Sequence, residues 1–572
     1  MRTKCFLAAG AVALTALLWA AAGPGQYPSL AGTDLPLRAK NSGAAALTGQ
    51  VSSQEEGPME GVLVSAKGAG TAITVTVVSD SQGRYSFPRT KLQPGRYALS
   101  IRAVGYNLES PAVVDIPPNQ TAPADLRLAK TADLSTQLTS AEWIMSAPGT
   151  EEQKAVFRGC TGCHSVERIV KSKHDATEFV AVQGRMSTYA PPSSVFRVVR
   201  MPGGPGETAN PETRQKRAEY LATVNLSSGP WKYALQTLPR PKGNAVRVII
   251  TEYDLPRKNA QPHDVAMGPD GMIWYSDFAD PYLGRLNPRT AEIKEYAVPQ
   301  IKAGFPPGSL DVEFDKEGNV WLGRLLQGGV ARFDPRTEKF DSWSVPREYN
   351  NNAVQTAMVA PQNHDYDGKV WFDNASANRV LHRLDLKTGQ VETVEPYREI
   401  GKDSPDGSRE HSTYGIATDA QNNLYFTDMA GGNIGRIDAK SGKVTLLPTP
   451  AKNSGPRRIR MDSQGRLWFG ESSADKIGML DPVTGQFREW AVPSPWSNPY
   501  DVVLDKNEDA WTGSTFNDRV LRLNVKTGQW TEYLLPRYTN IRRVFVDNST
   551  TPVTFWVGNN HGASIIKLEP LE

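Results

Sequence analysis

The sequence predicts a mainly β protein, in which a seven-bladed β-propeller is preceded by a small β-sandwich and a small all-α segment. Three observations carry this prediction. From residue 246 onward an aromatic residue recurs every 43 to 54 residues; residues 46–129 alternate apolar and polar positions in short runs; and residues 141–225 carry helix-capping residues instead. The aromatic series is Trp274, Trp321, Trp371, Tyr425, Trp468, Trp511 and Trp556.

The first 22 residues have the pattern of a cleavable signal peptide. Arg2 and Lys4 are basic, the run from Phe6 to Trp19 is apolar and uncharged, and Ala20-Ala21-Ala22 supplies small residues for cleavage. Residues 23–45 are rich in Gly, Pro and Ala, which predicts a flexible spacer. We therefore expect a periplasmic or secreted protein without an integral membrane anchor.

The charge balance gives little reason to expect nucleic acid as a partner. The formal net charge is +3, and it falls to +1 once the two basic residues of the leader are removed. A near-neutral chain has no general attraction for polyanions or for an anionic membrane surface.

Residues 46–129 predict the β-sandwich, because short alternating runs such as Ala72–Asp80 are separated by turn sequences such as Asp80-Ser81-Gln82-Gly83. Gly61-Val62-Leu63-Val64, Gly95-Arg96-Tyr97 and Ala103-Val104-Gly105-Tyr106 resemble the carboxypeptidase-regulatory-like, transthyretin-like modules. That resemblance implies a scaffolding role.

Residues 141–225 predict helices from their caps. Thr150 precedes two acidic residues that suit a first turn, and Asp175 is placed to cap a helix that runs to Met186. Asn210-Pro211 is a cap followed by proline at the first helical position, which predicts a last helix through Tyr220-Leu221.

Cys160-Thr161-Gly162-Cys163-His164 within this segment is a C-x-x-C-H motif, and Cys5 in the leader is the only other cysteine. Two thiols at this spacing can each bond one vinyl group of a haem, while the adjacent histidine ligates the iron. A disulfide redox pair or half of a zinc site are the alternatives, but no second ligand pair follows nearby. We therefore expect one covalent haem c, and the segment resembles a small class I cytochrome c.

The sixth iron ligand has three candidates downstream of the motif. Met186 ends the predicted second helix, in an Arg-Met pair similar to that of cytochrome domains fused to propellers. Met201, followed by proline in a loop before the last helix, also resembles the usual cytochrome arrangement. His174 lies close to the motif along the chain. We favour Met186 over Met201, with His174 or an open sixth position as the remaining alternatives, and a methionine that does not bind iron would be ordinary packing.

The propeller region, residues 246–572, contains a strand that is predicted to close the ring of blades. Six fourth strands can be read from the sequence, against seven copies of the aromatic position and of the following motif, as in Gly284-Arg285-Leu286-Asn287. The missing strand is VIITEYDLP at residues 248–256, which stands alone before the first complete unit. It is expected to complete the last blade and so to remove exposed edges.

Units of the form PHDVAMGPDGMIWYSDF, residues 262–278, resemble those of the virginiamycin B (streptogramin) lyase family. The resemblance implies that a histidine on the first strand and an acid on the second serve metal binding and ring opening. Residues of this chain in matching positions are His263 with Asp277, Tyr414 with Asp428, Arg457 with Glu471, Tyr500, and Arg542. The family's second histidine has no counterpart in the adjacent positions, which hold Leu310 and Arg542.

Three functions compete on this basis. The first is an exported redox protein that transfers electrons through its haem, with a partner protein or a small-molecule substrate on the propeller face. The second is a non-catalytic docking scaffold. The third is a lyase in which His263 acts as base while Asp277 and Glu471 hold a divalent cation. We rank electron transfer first, because it gives the haem motif a role, and we expect the arginines at the propeller face to favour an anionic or carboxylate-bearing group.

Overall fold

The computed structural model describes residues 44–202, 210–361, 366–375, 378–398 and 410–571. The predicted signal peptide (1–22) and nearly all of the predicted spacer (23–45) lie outside the described residues. With 40% strand against 12% helix, the protein is mainly β, as predicted.

Residues 45–130 form two β-sheets that enclose one apolar core, with Leu47, Val64 and Phe87 fully buried between them. One sheet has the order β2-β1-β10-β7, with β5 and β9 also paired to β1, and the other has the order β4-β3-β6-β8. The strands are β1 (Ala45–Ser53), β2 (Gly57–Pro58), β3 (Leu63–Gly68), β4 (Ile73–Val78), β5 (Arg84–Pro88), β6 (Gly95–Arg102), β7 (Tyr106–Ser110), β8 (Val113–Ile116), β9 (Ala122–Pro123) and β10 (Leu126–Lys130).

A helical segment follows, and its caps are those that the sequence predicts. Asp175 and Asn210 each accept a hydrogen bond from a backbone N–H of the helix that they begin. A core built around Trp143, Phe157 and Leu221 holds the helices together. The helices are a 3₁₀ turn at Leu134–Thr136, α1 (Ser140–Ser146), α2 (Glu151–Lys154), α3 (Val156–Cys160), α4 (Glu167–Val170), α5 (Ala176–Met186) and α6 (Pro211–Val224).

Beyond a 3₁₀ turn at Gly243–Val246 and β11 (Val248–Asp254), the described residues form six consecutive antiparallel sheets of four strands each. The first three are β12 (Pro262–Met267), β13 (Ile273–Asp277), β14 (Tyr282–Leu286), β15 (Ile293–Ala297); β16 (Glu313–Phe314), β17 (Val320–Gly323), β18 (Gly329–Asp334), β19 (Lys339–Ser344); and β20 (Val359–Ala360), β21 (Lys369–Asn374), β22 (Val380–Asp385), β23 (Val391–Val394). Short 3₁₀ turns lie at Leu325–Gln327 and Arg347–Tyr349.

The next three sheets repeat the same up-and-down order. They are β24 (Thr413–Thr418), β25 (Leu424–Asp428), β26 (Asn433–Ile437), β27 (Val444–Pro448); β28 (Pro456–Met461), β29 (Leu467–Glu471), β30 (Lys476–Asp481), β31 (Gln486–Ala491); and β32 (Pro499–Leu504), β33 (Asp509–Ser514), β34 (Arg519–Asn524), β35 (Gln529–Leu534).

The last set of strands is assembled from both ends of the propeller region. β36 (Val544–Asp547), β37 (Thr554–Asn559) and β38 (Ser564–Pro570) are joined by β11, which pairs with β38 from Val248↔Pro570 to Asp254↔Ser564. The strand that the sequence predicts to complete the last set, within residues 248–256, is therefore paired with β38 as expected. The first strands from β20 to β36 each touch the next, and β36 touches β12, so these sets are arranged around a central axis.

The recurring aromatic residues lie on the second strand of each set and are buried in the core. Most stack on an aromatic ring of the fourth strand, as Trp321 does on Trp343 at 5.5 Å between ring centroids. They are therefore core residues of the propeller.

One pairing was not foreseen. The outer edge of β11 is covered by β4 of the sandwich, with Ile249 opposite Val77 and Tyr253 opposite Ile73. The sandwich sheet and the last propeller set thus form one eight-stranded sheet, which leaves β11 without an open edge.

Across the described ranges, no helix combines the length and the apolar character that a membrane span requires.

Candidate functional site

One residue in the first strand of each set, or up to three positions before it, belongs to a ring at one end of the propeller axis. Each of these residues lies three positions before the residue that pairs with the recurring Trp or Tyr. Tyr500 lies at the centre of this cluster, because the side chains of four other ring residues contact its aromatic ring. The ring consists of His263, Leu310, Ala357, Tyr414, Arg457, Tyr500 and Arg542.

His263 is buried, and its imidazole is held by its own strand. Nδ1 lies 2.6 Å from Asp264 Oδ1, and we assign its hydrogen to that contact because a carboxylate oxygen accepts. Burial, with the positive charges of Arg542 and Arg458 nearby, holds the pKa of His263 well below its usual range. The side chain is therefore a neutral, oriented imidazole.

Asp277 and Asp428 are structural. Asp277 forms an ion pair with Arg257 at 2.6 Å and accepts from the backbone N–H of Ala279 at 2.9 Å. Asp428 lies 2.6 Å from His411 Nδ1 and accepts from the Ser412 backbone at 2.9 Å. In both sets the acid at the end of the second strand uses its carboxylate to hold neighbouring loop residues. Asp277 and His263 therefore have separate partners and do not form a shared site.

Glu471 occupies the same position in the fifth set but lacks such partners. It is fully buried, and neither carboxyl oxygen has a hydrogen-bond partner among the described residues. In the first set Arg257 bridges Asp277 and Glu295; Ala451 stands in the place of that arginine in the fifth set. Burial, and then the neighbouring carboxylate of Glu489, raise the pKa of Glu471 to about 8.

A buried ionic network fills the channel beneath the ring. Arg458 pairs with Asp311 at 3.0 Å and with Asp264, and Arg543 pairs with Glu313 at 2.9 Å and with Asp311 at 3.4 Å. These residues mostly lie one position after a ring residue. Sequence reasoning missed the network, although Asp264, Asp311, Arg458, Asp501 and Arg543 recur at that one register.

Arg457 and Arg542 belong to the ring and are paired quite differently. Their guanidinium carbons lie 4.9 and 5.3 Å from the centroid of the Tyr500 ring. Each uses only Nε in a hydrogen bond, Arg457 to Ser472 Oγ at 3.1 Å and Arg542 to Asn540 Oδ1 at 2.5 Å. Neither has a carboxylate partner within the part of the chain that the structure describes, and Tyr414 completes the cluster through a hydroxyl–hydroxyl contact with Tyr500.

The C-x-x-C-H motif begins at the end of α3 and continues through a turn. Cys160 and Cys163 are not joined by a disulfide, and burial raises the pKa of the Cys160 thiol to about 11. His164 Nδ1 lies 2.8 Å from the backbone oxygen of Ser165. Its Nε2 has no hydrogen-bond partner in the described ranges, so one ring nitrogen is committed to the backbone and the other is available.

The motif is docked on the ring end of the propeller. His561 Nε2 lies 3.1 Å from the Gly162 oxygen, and Asn540 donates to the Thr161 oxygen at 3.4 Å. Arg158, two residues before the motif, donates to the Ser472 oxygen at 2.7 Å and pairs with Asp475 at 3.1 Å. The motif is therefore fixed to the fifth, sixth and seventh sets of strands.

Residues 188–201 form a loop that covers the other side of the same face. Tyr189 and Arg200 form a β-bridge at its base, and Val199 packs into a cluster with Leu310 and Met358. Its tip is exposed and apolar, with Phe196 64% exposed. A cavity of about 210 Å³ lies between this tip, His164 and the propeller, and its lining residues include Cys163, His164, Val195, Phe196, Tyr538 and His561.

The three candidates for a sixth iron ligand lie at different places. Met186 ends α5 and is half-buried, while Met201 packs against the propeller cluster that contains Leu310. The base of the 188–201 loop links the two methionines. Thr188, two residues after Met186, accepts a hydrogen bond through its backbone oxygen from the backbone N–H of Met201. His174 has a side chain that is 45% exposed and lies 3.6 Å from Glu178.

The chemistry of these groups fits a covalent haem. A ligating histidine typically donates its other ring N–H to a backbone carbonyl, as His164 is placed to do with Ser165. No group of three or more His, Cys, Asp or Glu side chains in the described residues is arranged to hold a metal ion. The cavity volume lies below the range of about 300–1,000 Å³ that is typical of cofactor pockets.

Two known families match parts of the chain. Residues 46–129 match the carboxypeptidase regulatory-like domain, and residues 402–570, which span the last four sets of strands, match the virginiamycin B lyase family. No curated protein matches the chain. The protein thus carries a carboxypeptidase regulatory-like domain, as predicted from the same residues, and a propeller like that of virginiamycin B lyase.

Among solved structures, selenomethionine-substituted virginiamycin B lyase from Staphylococcus aureus is 20% identical over 56% of this chain and 99% of its own, with a TM-score of 0.47. A streptogramin B lyase structure is also 20% identical, over 57% of this chain and 99% of its own, with a TM-score of 0.48. The extracellular domain of the putative one-component system BT4673 from B. thetaiotaomicron is 17% identical over 55% of this chain and 41% of its own, with a TM-score of 0.40.

Proposed function

We propose that this protein is an exported c-type cytochrome that transfers electrons, and that its propeller face binds the redox partner or substrate. The observation that carries the proposal is the docking of the C-x-x-C-H motif on the ring end of the propeller, through Arg158, Thr161 and Gly162. A motif for covalent haem and a polar binding face thereby share one site.

Each residue of the motif has a definite task in this proposal. Cys160 and Cys163 would hold haem through thioether bonds, and His164 would ligate its iron through Nε2. The Ser165 carbonyl fixes the ring orientation of His164 and increases the basicity of its free nitrogen. Met186 would supply the sixth ligand, with Met201 as the alternative. Haem bound here would supply one-electron redox chemistry beside the propeller ring.

The propeller contributes a rigid, charged surface. The ionic network of Arg458 and Arg543 with Asp264 and Asp311 holds the first strands in place. Neutral His561 lies between the motif and the ring, since burial and the charge of Arg542 lower its pKa to about 3. These groups keep the protein side of the site fixed in charge while an electron is gained or lost, which limits reorganisation.

The positions of the candidate lyase residues do not favour ring opening. His263 is committed to Asp264, Asp277 is neutralised by Arg257, and Glu471 has no metal-ligating companions besides Glu489 in the described residues. We therefore keep electron transfer as the proposed function.

The test is a spectroscopic titration of the purified exported protein. Candidate redox proteins and small oxidants or reductants are added while the haem absorption bands are recorded. We expect partner-dependent reduction or oxidation that slows in an Arg457→Gln variant and is unchanged in an Arg336→Gln variant, whose side chain is exposed on a distant turn. A haem spectrum that no electron donor or acceptor changes would overturn the proposal.

A further inference from the structure

Four arginines, two in β28 and two directly before β36, divide into two kinds. Arg458 and Arg543, in the channel, use their terminal nitrogens for carboxylates, while their Nε atoms are buried without a partner. Arg457 and Arg542, one residue earlier, do the reverse: Nε is bonded, and the terminal nitrogens have no hydrogen-bond partner in the described ranges. Two guanidinium forks are thus left open at the ring.

Each open fork is linked to the C-x-x-C-H segment through its own bridging residue. Ser472 accepts from Arg457 through its hydroxyl and from Arg158 through its backbone oxygen. Asn540 accepts from Arg542 and donates to the oxygen of Thr161. The structure therefore holds the two forks at fixed positions relative to Cys160 and Cys163.

The arrangement is electrostatically incomplete. Arg457 and Arg542 are half-buried, and burial lowers their pKa values, that of Arg457 to about 10, with a further lowering at Arg457 from the charge of Arg542. Among the described residues, their direct contacts are the face of Tyr500 and one neutral acceptor each. Uncompensated buried charge is costly, whereas a forked guanidinium matches a carboxylate through two parallel hydrogen bonds.

We propose that Arg457 and Arg542 form a carboxylate-binding site on the propeller ring beneath the C-x-x-C-H motif. The carboxylate can come from two sources: a propionate of the attached haem, or a free carboxylate-bearing substrate at the propeller face. The site itself depends only on residues of this chain, and the haem source alone rests on the proposed function.

The test is calorimetric titration of malonate, a small dicarboxylate, at low ionic strength. It uses the haem-loaded full chain and a haem-free full chain made by Cys160→Ala with Cys163→Ala. Binding to the haem-free chain alone assigns the site to haem propionates, and binding to the haem-loaded chain assigns it to a free carboxylate. Arg457→Gln should weaken either binding by about tenfold to a hundredfold, the effect of losing a charged hydrogen bond, while Arg336→Gln should leave it unchanged.

A second measurement guards against misfolding of the haem-free chain. In the haem-loaded protein, Arg457→Gln with Arg542→Gln should lower the haem reduction potential if propionates occupy the site, because positive charge near the haem favours the reduced form. No malonate binding in either chain, together with an unchanged potential, overturns the carboxylate site. Failure of haem attachment would instead contradict the proposed function and leave the titration of the unmodified ring interpretable.

Discussion

Glu471→Gln should abolish a loss of stability that the protein suffers as the pH rises. The carboxyl group is fully buried without a hydrogen-bond partner among the described residues, and its neighbour Glu489 is already engaged by Lys476 at 2.7 Å. Its pKa rises from 4.5 to about 8 in the folded protein. The folded state therefore holds a proton that the unfolded state releases, so stability is highest below pH 4.5 and declines until about pH 8.

The magnitude follows from the width of that window. One proton is worth about 1.4 kcal/mol per pH unit, so the group lowers the free energy of unfolding by as much as about 5 kcal/mol between the two pKa values. Glu489 shares part of this effect, since its carboxylate also raises the pKa of Glu471. Glutamine keeps the shape of the side chain and carries no proton to lose.

Thermal unfolding followed by tryptophan fluorescence at pH 5.5 and pH 8.5 measures the effect. We expect the melting temperature of the unaltered protein to fall more between these pH values than that of Glu471→Gln. Glu317→Gln, at an exposed turn, should behave like the unaltered protein. The same fall in both Glu471→Gln and the unaltered protein would refute the reasoning.

Three further outcomes are expected. Met186→Ala should convert the haem iron to high spin and lower its reduction potential while Met201→Ala leaves the spectrum nearly unchanged; the reverse pattern would transfer the ligand role to Met201. Deletion of residues 46–129 exposes the edge of β11 and should cause concentration-dependent association in analytical ultracentrifugation, and a monodisperse truncated chain would contradict the role of the β4–β11 pairing. Incubation with virginiamycin B and magnesium should give no appreciable linear product by mass spectrometry; efficient opening lost in His263→Ala would make the protein a lyase.

Local patterns predicted most of the architecture. The aromatic series marks the second strands because each ring must fill the same core position, and the caps at Asp175 and Asn210 mark helix starts because their side chains bond the first free N–H groups. The closing role of residues 248–256 followed from a count of strands that left one without a sheet. Each of these signals acts within a few residues or within one repeat.

What the sequence did not reveal depends on contacts between distant segments. Nothing in the sequence near β4 indicates that it pairs with β11. An edge strand has the same pattern of apolar and polar residues whether solvent or another strand covers its edge. Arg457 and Arg458 are neighbours of the same type, and only the folded ring separates an open fork from a paired one. The sequence pattern indicates Asp277 as a metal ligand, whereas the structure shows its carboxylate in an ion pair with Arg257.

The most direct test of the central claim is whether haem stays bound to the denatured chain. The full protein is expressed with a working cytochrome maturation system, separated by denaturing gel electrophoresis and stained for haem peroxidase activity. Thioether bonds through Cys160 and Cys163 predict a stained band at the mass of the full chain, weakened or lost in Cys163→Ala. A colourless band from the unaltered protein, in cells that attach haem to a control cytochrome, would contradict the account.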